Sequence, residues 1–251
     1  MHKLSAVLIT LNEINCIETC IDSISFADEL IVVDSYSTDG TWEFLQNHPQ
    51  IKAYQNTFKN YTDQKSFALN LASNNWVLFV DADEVVTTAL KNEIKDVLKA
   101  PKADAYYVYR KFIMNNVPLK FCGFQTDKQL RLFNKSKAHF VPNKLVHEKI
   151  ISKGSEAFLK NKLDHNFYKS EEDYKRRIKF YGTLKGQEIY QKKRPATIFH
   201  SLFKPSFKFF YMYIIRLGIL DGRKGYKIAS INAKGVAERY KEIKRIKKRT
   251  T

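Results

Sequence analysis

Two aspartates at the end of an apolar run have the spacing of a divalent-cation site. Asp81 and Asp83 directly follow WVLFV, residues 76–80. Side chains at i and i+2 of an extended chain project to the same side, so the two carboxylates should lie close together. They suit Mg²⁺ or Mn²⁺, which take oxygen ligands and keep positions open for substrate phosphates. The alternative is a helix start, since Asp and Glu favour first turns, although Thr87 or Thr88 already offers the next helix a cap.

A third aspartate, Asp34, closes another apolar run, ELIVVD of residues 29–34. Taken alone, it is explained by an Asx turn at a strand end, with Asp39 and Gly40 forming the next turn. In open α/β sheets, however, ligands bind beyond the carboxyl ends of the strands. We therefore expect Asp34 at the same sheet edge as the aspartate pair.

Strand-like and helix-like segments alternate through the first 100 residues and would position these aspartates. Continuous apolar runs over 4–11 and 29–35 are typical of strands buried on both faces of a parallel sheet. Between them, isoleucines three and four residues apart over 14–24 indicate a helix, which Asn12 could cap. The pattern predicts an α/β fold with right-handed crossovers and an open, mostly parallel sheet.

Six short motifs occur in an informative order along the chain. They are TLNE (10–13), IVVDSYSTDGT (31–41), WVLFVDADE (76–84), GFQTDKQLRLF (123–133), LVHEKI (145–150) and LDGRKGY (220–226). With these separations the sequence resembles the family 2 glycosyltransferases, and among them the bacterial branch that builds lipopolysaccharide core and related envelope glycans. The resemblance implies a GT-A type nucleotide-sugar domain with a mostly parallel central sheet, followed by a basic helical C-terminal extension.

The same resemblance implies a set of donor-binding residues. They are Thr10, Leu11, Asn12, Glu13, Asp34, Lys65, Asp81 and Arg131. The TLNE segment would line the nucleobase and ribose pocket, Asp34 would hydrogen-bond the base, and Asp81 would face the ribose and the metal. Asp83 would ligate the Mg²⁺ or Mn²⁺ that bridges the donor diphosphate. His165, in KLDHNFY, is either a structural histidine or a further ligand or diphosphate contact.

The implied reaction is inverting transfer, in which an acceptor hydroxyl attacks the anomeric carbon opposite the leaving nucleoside diphosphate. It requires a general base beside the acceptor and a cation on the leaving group. Glu148 and Asp127 are the candidate bases; Glu148 is favoured because His147 adds a polar group and flanking lysines would keep the carboxylate ionised. The alternatives are a surface turn at 147–148 and a structural ion pair between Asp127 and Arg131.

Charge is distributed unevenly along the chain. The net charge is +17; residues 1–150 carry 17 basic and 17 acidic side chains, and residues 151–251 carry 26 and 9. This division predicts a neutral domain over 1–150, which the resemblance implies is the GT-A catalytic domain, with a nucleotide-binding half (1–100) and an acceptor half (101–150). A basic, mostly helical region would follow over 151–251.

An amphipathic aromatic segment, residues 198–220, lies within the basic region. Helical spacing puts one stripe of apolar side chains on a single face: Phe203, Phe207, Phe210, Ile214 and Leu217. The segment is too charged to span a bilayer, which needs ~20 apolar residues. It is typical of an element lying on an anionic membrane surface. The alternative is packing against the catalytic domain or a second subunit.

Cysteine content and motif searches narrow the remaining possibilities. Three cysteines and no signal-peptide pattern at the start favour a cytoplasmic protein, here peripheral on the inner face of the cell membrane. The partners would be a nucleotide-sugar donor and a glycolipid or envelope-glycan acceptor. The neutral N-terminal part and the lack of nucleic-acid-binding motifs argue against nucleic acid. The competing functions are a sugar nucleotidyltransferase, whose glycine-rich basic loop is missing after the first strand, and a non-catalytic basic module binding membrane or nucleic acid.

Overall fold

The structure is a computed structural model that describes residues 1–114, 117–140, 150–168, 170–193 and 196–250. By packing, the chain divides into two units, residues 1–110 with 128–165 and residues 111–127 with 166–251. The predicted catalytic domain over 1–150 and basic region over 151–251 stay predictions.

Strands dominate the first two thirds of the chain and helices the last third. The strands are β1 (Leu4–Thr10), β2 (Glu29–Asp34), β3 (Ile51–Gln55), β4 (Trp76–Asp81), β5 (Glu84–Val86), β6 (Ala105–Met114), β7 (Val117–Leu119), β8 (Lys128–Asn134), β9 (Ala138–Phe140), β10 (Ile150–Ser152), β11 (Glu156–Phe158) and β12 (Leu163–Tyr168). The α-helices are α1 (Ile14–Ile24), α2 (Thr41–Asn47), α3 (Tyr61–Leu71), α4 (Thr88–Lys99), α5 (Glu171–Gln191), α6 (Ile198–Phe210) and α7 (Gly222–Thr250).

The predicted parallel sheet is confirmed in the first unit. Strands run in the order β3-β2-β1-β4 and are all parallel, and β8 and the start of β6 extend the sheet antiparallel. Thr10 of β1 is in register with Asp34 of β2, and Ile9 is in register with Asp81 of β4. The carboxyl ends of these strands therefore meet at one edge, as expected.

Both faces of this sheet are buried, which explains the continuous apolar runs. Leu4, Ala6 and Leu8 of β1 pack into a cluster that includes residues of α1 and α4. Val7, on the opposite face, packs into a second cluster that includes Ala68 of α3. A parallel sheet covered on both faces needs apolar residues at successive positions, and β1, β2 and β4 provide them.

Two helix starts can be compared with their predicted caps. Thr87 caps α4, as predicted, because its hydroxyl accepts from the Leu90 N–H at 3.2 Å. The prediction of Asn12 as the cap of α1 is wrong: Glu13 holds that position without a side-chain cap, and the Ile14 N–H donates to Asp39 at 3.2 Å. The Asn12 amide oxygen instead accepts from the Thr38 N–H at 2.8 Å.

The second unit is built mainly from α5, α6 and α7. Short strands occupy 150–168, so the helical part begins only at Glu171. Helix α5 approaches α7 closely at Gly186, where an added Cβ would lie 2.6 Å from the Arg239 carbonyl oxygen. After α6 the chain makes a π-helical turn at Tyr211–Ile215 and a 3-10 turn at Gly218–Asp221. None of the helices in the described part of the chain is long and apolar enough to cross a membrane.

Candidate active site

Asp81 stands at the end of β4 between two cationic side chains. Its Oδ1 accepts from Lys65 Nζ at 2.9 Å, and its Oδ2 accepts from the Arg131 guanidinium. Lys65 comes from α3 and Arg131 from β8, and both are buried. Burial opposes ionisation of Asp81, but Arg131 and Lys65 outweigh it and hold the pKa of this carboxyl well below its usual range. Asp81 is therefore a charged residue with both oxygens engaged by the protein.

Glu84 extends this network behind Asp81. It is fully buried, its Oε1 accepts from Arg131, and its Oε2 accepts from the Asp81 N–H at 3.0 Å. Arg110 of β6 lies 3.4 Å from Glu84 Oε1. Charge-assisted hydrogen bonds of this kind are short and directional, so the network fixes the position of the Asp81 backbone and of its carboxylate.

Asp83 has a different environment from Asp81. Its side chain is 32% exposed, and its Oδ2 lies 3.1 Å from His165 Nε2. The antiparallel pairing of β5 with β12 places His165 opposite Glu84, which brings the imidazole beside Asp83. Asp83 is thus the more open carboxylate of the pair, and a ring nitrogen stands next to it.

The donor atoms at this position can be compared with those a divalent cation requires. Asp83 offers a carboxylate oxygen and His165 an imidazole nitrogen, both of which suit Mn²⁺ and related cations. Within the described residues no group of three or more His, Cys, Asp or Glu side chains is placed to hold a metal. The pair fits a cation whose remaining ligands are diphosphate oxygens and water.

Asp34 is fully buried and holds a turn of its own chain. Its Oδ2 accepts from the Ser37 N–H at 2.9 Å and from Gln55 Nε2 at 3.2 Å, and the Ser37 hydroxyl donates to Oδ1. Tyr36, inside this turn, has a φ of 62° and an exposed ring. Asp34 thus holds the turn after β2 through a bond to the backbone three residues on, and the expected hydrogen bond from Asp34 to a nucleobase stays a prediction.

The TLNE segment lies against the same turn. The Asn12 N–H donates to the Ser37 hydroxyl at 2.8 Å, and the Glu13 N–H donates to the Thr41 hydroxyl at 3.0 Å. Leu11 is exposed, whereas the Thr10 hydroxyl is buried and has no hydrogen-bond partner among the described residues. These bonds fix the loops that follow β1 and β2 to each other at the carboxyl edge of the sheet.

Comparison with known proteins identifies the protein family. Residues 5–153 match the family model described as Glycosyl transferase family 2. The chain belongs to glycosyl transferase family 2. An uncharacterized glycosyltransferase of Rickettsia felis is 28% identical over 240 residues, which cover 90% of this chain and 84% of that protein. The lipopolysaccharide core biosynthesis glycosyltransferase LpsC of Rhizobium meliloti is 29% identical over 218 residues, covering 84% and 80%.

A solved structure, S. aureus TarS 1–349 in complex with UDP, aligns with a TM-score of 0.49 at 16% identity, covering 99% of this chain and 92% of that one. The prediction of a family 2 glycosyltransferase with a GT-A type α/β fold is confirmed, and so is the prediction of an enzyme.

In this family 2 glycosyltransferase some of the predicted site residues are in contact with one another, and others are not placed with them. Lys65, Asp81 and Arg131 are in direct contact. Asp127 belongs to the second unit. His147 and Glu148 lie outside the described residues. The three candidates for the acceptor side therefore stay predictions.

Sequence reasoning missed two members of the charged network, Glu84 and Arg110. Glu84 carried a usable signal, since it is an acidic residue three positions after Asp81 and is followed directly by two valines of a strand. An acidic residue inside a buried strand requires a cationic partner. Arg110 carried a similar signal, since side chains two residues apart share one face of a strand and its neighbours on that face, Val108 and Phe112, are apolar and buried.

Proposed function

We propose that this glycosyltransferase moves a sugar from a nucleotide-diphosphate sugar to a lipid-linked or lipopolysaccharide-core acceptor, by inverting transfer and with Mg²⁺ or Mn²⁺. The observation that carries the proposal is the pair of Asp83 and His165, placed at the carboxyl edge of the sheet beside the network of Asp81, Lys65 and Arg131. One partly open carboxylate with a neighbouring imidazole, next to a fixed cluster of charge, is suited to binding a diphosphate through a cation.

Each part of the site has a distinct role in this proposal. Asp83 and His165 would hold the cation, which when bound neutralises charge on the leaving diphosphate. The network around Asp81 keeps the backbone of the DAD segment in place while the donor binds. The loops after β1 and β2 would receive the nucleobase and ribose, with the TLNE backbone and Asp34 on that side.

The acceptor side rests on the resemblance and on one relative. Glu148 is our candidate for the base that removes the proton of the acceptor hydroxyl, with His147 beside it and Asp127 as the alternative. The similarity to LpsC, whose name places it in lipopolysaccharide core biosynthesis, supports an envelope-glycan acceptor. We therefore expect a sugar of lipopolysaccharide core, or a related lipid-linked glycan, as the group that is extended.

The second unit supports a peripheral position on the inner face of the cell membrane. The predicted stripe on α6 and the turns after it is solvent-exposed: Phe203, Phe207, Phe210, Ile214 and Leu217 are all more than two-fifths accessible. Phe199, Phe203, Phe207 and Tyr211 also stack in succession along α6. An exposed ladder of aromatic rings on a basic unit suits an anionic membrane surface, which would bring the enzyme to a lipid-linked acceptor.

Donor turnover tests the catalytic proposal. Purified enzyme is given UDP-, GDP-, CMP- and dTDP-sugars with a truncated lipopolysaccharide-core acceptor, with Mn²⁺ or EDTA, and nucleotide release is measured beside donor binding. We expect metal-dependent release from one donor, reduced by a factor on the order of 10² or more in Asp83→Asn because a ligand is lost. The exposed Asp96→Asn is the matched control and should retain wild-type turnover. Unchanged release by Asp83→Asn, or full activity in EDTA, would contradict the proposal, and retained anomeric configuration in the product would contradict inversion.

A further inference from the structure

A cavity of about 370 Å³ opens on the second unit between α5 and α7. Lys175 and Lys179 of α5 and Lys234 and Lys241 of α7 line it, together with the apolar side chains of Ile231 and Ala237. Its size lies within the range of small-ligand sites, about 300–1,000 Å³. All of its lining residues belong to the basic unit, and none of them is a residue of the DAD site.

The lysines of this cavity carry charge that the cavity does not neutralise. Lys175 forms an ion pair with Glu171 at 2.8 Å, but Lys179, Lys234 and Lys241 have no carboxylate partner among the described residues. The acidic residue of the lining, Glu238, bonds to Arg245 at 2.8 Å. With four lysines and one glutamate, the lining carries a net positive charge, which attracts an anion with more than one oxygen acceptor.

We propose that this cavity binds the phosphate headgroup of an anionic membrane lipid, with the start of its apolar part against Ile231 and Ala237. The lysines provide donors for the phosphate, and the apolar side chains and lysine stems provide a surface that a free, hydrated phosphate would leave unused. Helix α7, which lines the cavity, also packs against α6, which carries the exposed aromatic ladder. The inference rests on the proposed peripheral membrane position and adds a defined lipid site to it.

Short-chain lipids test this site without a membrane. Full-length enzyme is titrated calorimetrically with dihexanoylphosphatidylglycerol and dihexanoylphosphatidylcholine, each below its micelle concentration. We expect saturable binding of the anionic lipid with one site per chain, and binding at least about tenfold weaker for the zwitterionic lipid, since two or more lysines each contribute about fivefold near an anionic group.

Three variants distinguish lipid binding in the cavity from general attraction to the positively charged surface. Lys179→Glu with Lys234→Glu should weaken binding of the anionic lipid at least about twentyfold. Ala237→Phe fills the cavity without changing the charge and should weaken it comparably. Lys244→Glu with Lys248→Glu makes the same charge change at exposed positions of α7 outside the lining and should change binding less than about twofold. Thermal unfolding followed by circular dichroism tests whether each variant is folded. If Ala237→Phe does not fold, the smaller substitution Ala237→Leu is used in its place.

Several results would overturn the inference. Equal losses in the cavity and control variants would mean general electrostatic attraction. If inorganic phosphate competed for the cavity as effectively as the anionic lipid, the cavity would be a site for free phosphate. Wild-type enzyme that binds neither lipid at millimolar concentration has no such site. None of these affects nucleotide release, so an enzyme that shows Asp83-dependent turnover but no lipid binding contradicts this inference alone.

Discussion

The two aspartates of the DAD segment, Asp81 and Asp83, have different environments and, we infer, different roles. Asp81 has both carboxylate oxygens engaged by Lys65 and Arg131, while Asp83 is partly open and its Oδ2 lies 3.1 Å from the imidazole of His165. Burial opposes ionisation of Asp81, but the cationic Arg131 and Lys65 outweigh it and hold the pKa of this carboxyl well below its usual range. We infer that Asp81 organises the segment and that Asp83 presents its charge to the ligand.

The buried Glu84 should be a positioning residue for this segment. Glu84→Gln removes the charge that Arg131 and Arg110 face, and breaking a buried ion pair typically costs about 3–5 kcal/mol. We expect the free energy of unfolding to fall by about that much. In the folded protein kcat should fall by about tenfold or more while the Kd for the donor nucleotide changes little, because the DAD backbone loses its support without losing a ligand.

Denaturant unfolding and single-turnover kinetics below the unfolding transition measure the two effects of Glu84→Gln separately. Glu43→Gln, at an exposed position of α2, removes the same charge and serves as the control. A variant that is destabilised but transfers sugar at the wild-type rate once folded would show that Glu84 is only structural.

At the scale of elements, the close contact of α5 with α7 depends on a glycine, Gly186, which has no side chain. Helix propensity alone predicts that Gly186→Ala stabilises α5 by about 1 kcal/mol. The close approach to the Arg239 carbonyl oxygen predicts the opposite sign, a loss of about 1–3 kcal/mol, because an added methyl group would force the helices apart. Urea denaturation measures whether Gly186→Ala raises or lowers the free energy of unfolding. Leu184→Ala, on the exposed side of the same helix, should change stability by less than about 1 kcal/mol, and a more stable Gly186→Ala would disprove the close contact.

The elements that sequence predicts well are those whose signals are local. The apolar runs of β1, β2 and β4 and the turns after them fix the sheet and place Asp34, Asp81 and Asp83 at one edge. The cap of α1 was predicted wrongly because Asn12 bonds to Thr38, 26 residues away, rather than to its own helix. The charged network around Asp81 depends on strand pairings that join β4 to β8 and β8 to β6, and no local pattern encodes that register.

At the scale of the whole molecule, the chain combines an α/β unit that carries the DAD site with a basic helical unit that carries the exposed aromatic ladder. The two tasks can be separated experimentally, since the donor is soluble and the proposed acceptor is held in a membrane. A change confined to the ladder should leave donor chemistry intact and affect only access to the acceptor.

Phe203→Glu with Phe207→Glu tests this division, because both rings are 52% exposed and their replacement removes little internal packing. Losing two interfacial aromatic rings and adding two negative charges should weaken binding to anionic vesicles by a factor on the order of 10². Transfer to vesicle-bound acceptor should fall in proportion, while transfer to a detergent-dispersed acceptor stays at the wild-type rate. Phe180→Glu with Leu184→Glu makes the same kind of change on α5 and should retain vesicle binding better. If the α6 variant lost transfer equally in detergent and on vesicles, the ladder would be supporting the fold of the second unit, and the membrane surface would have to be sought elsewhere.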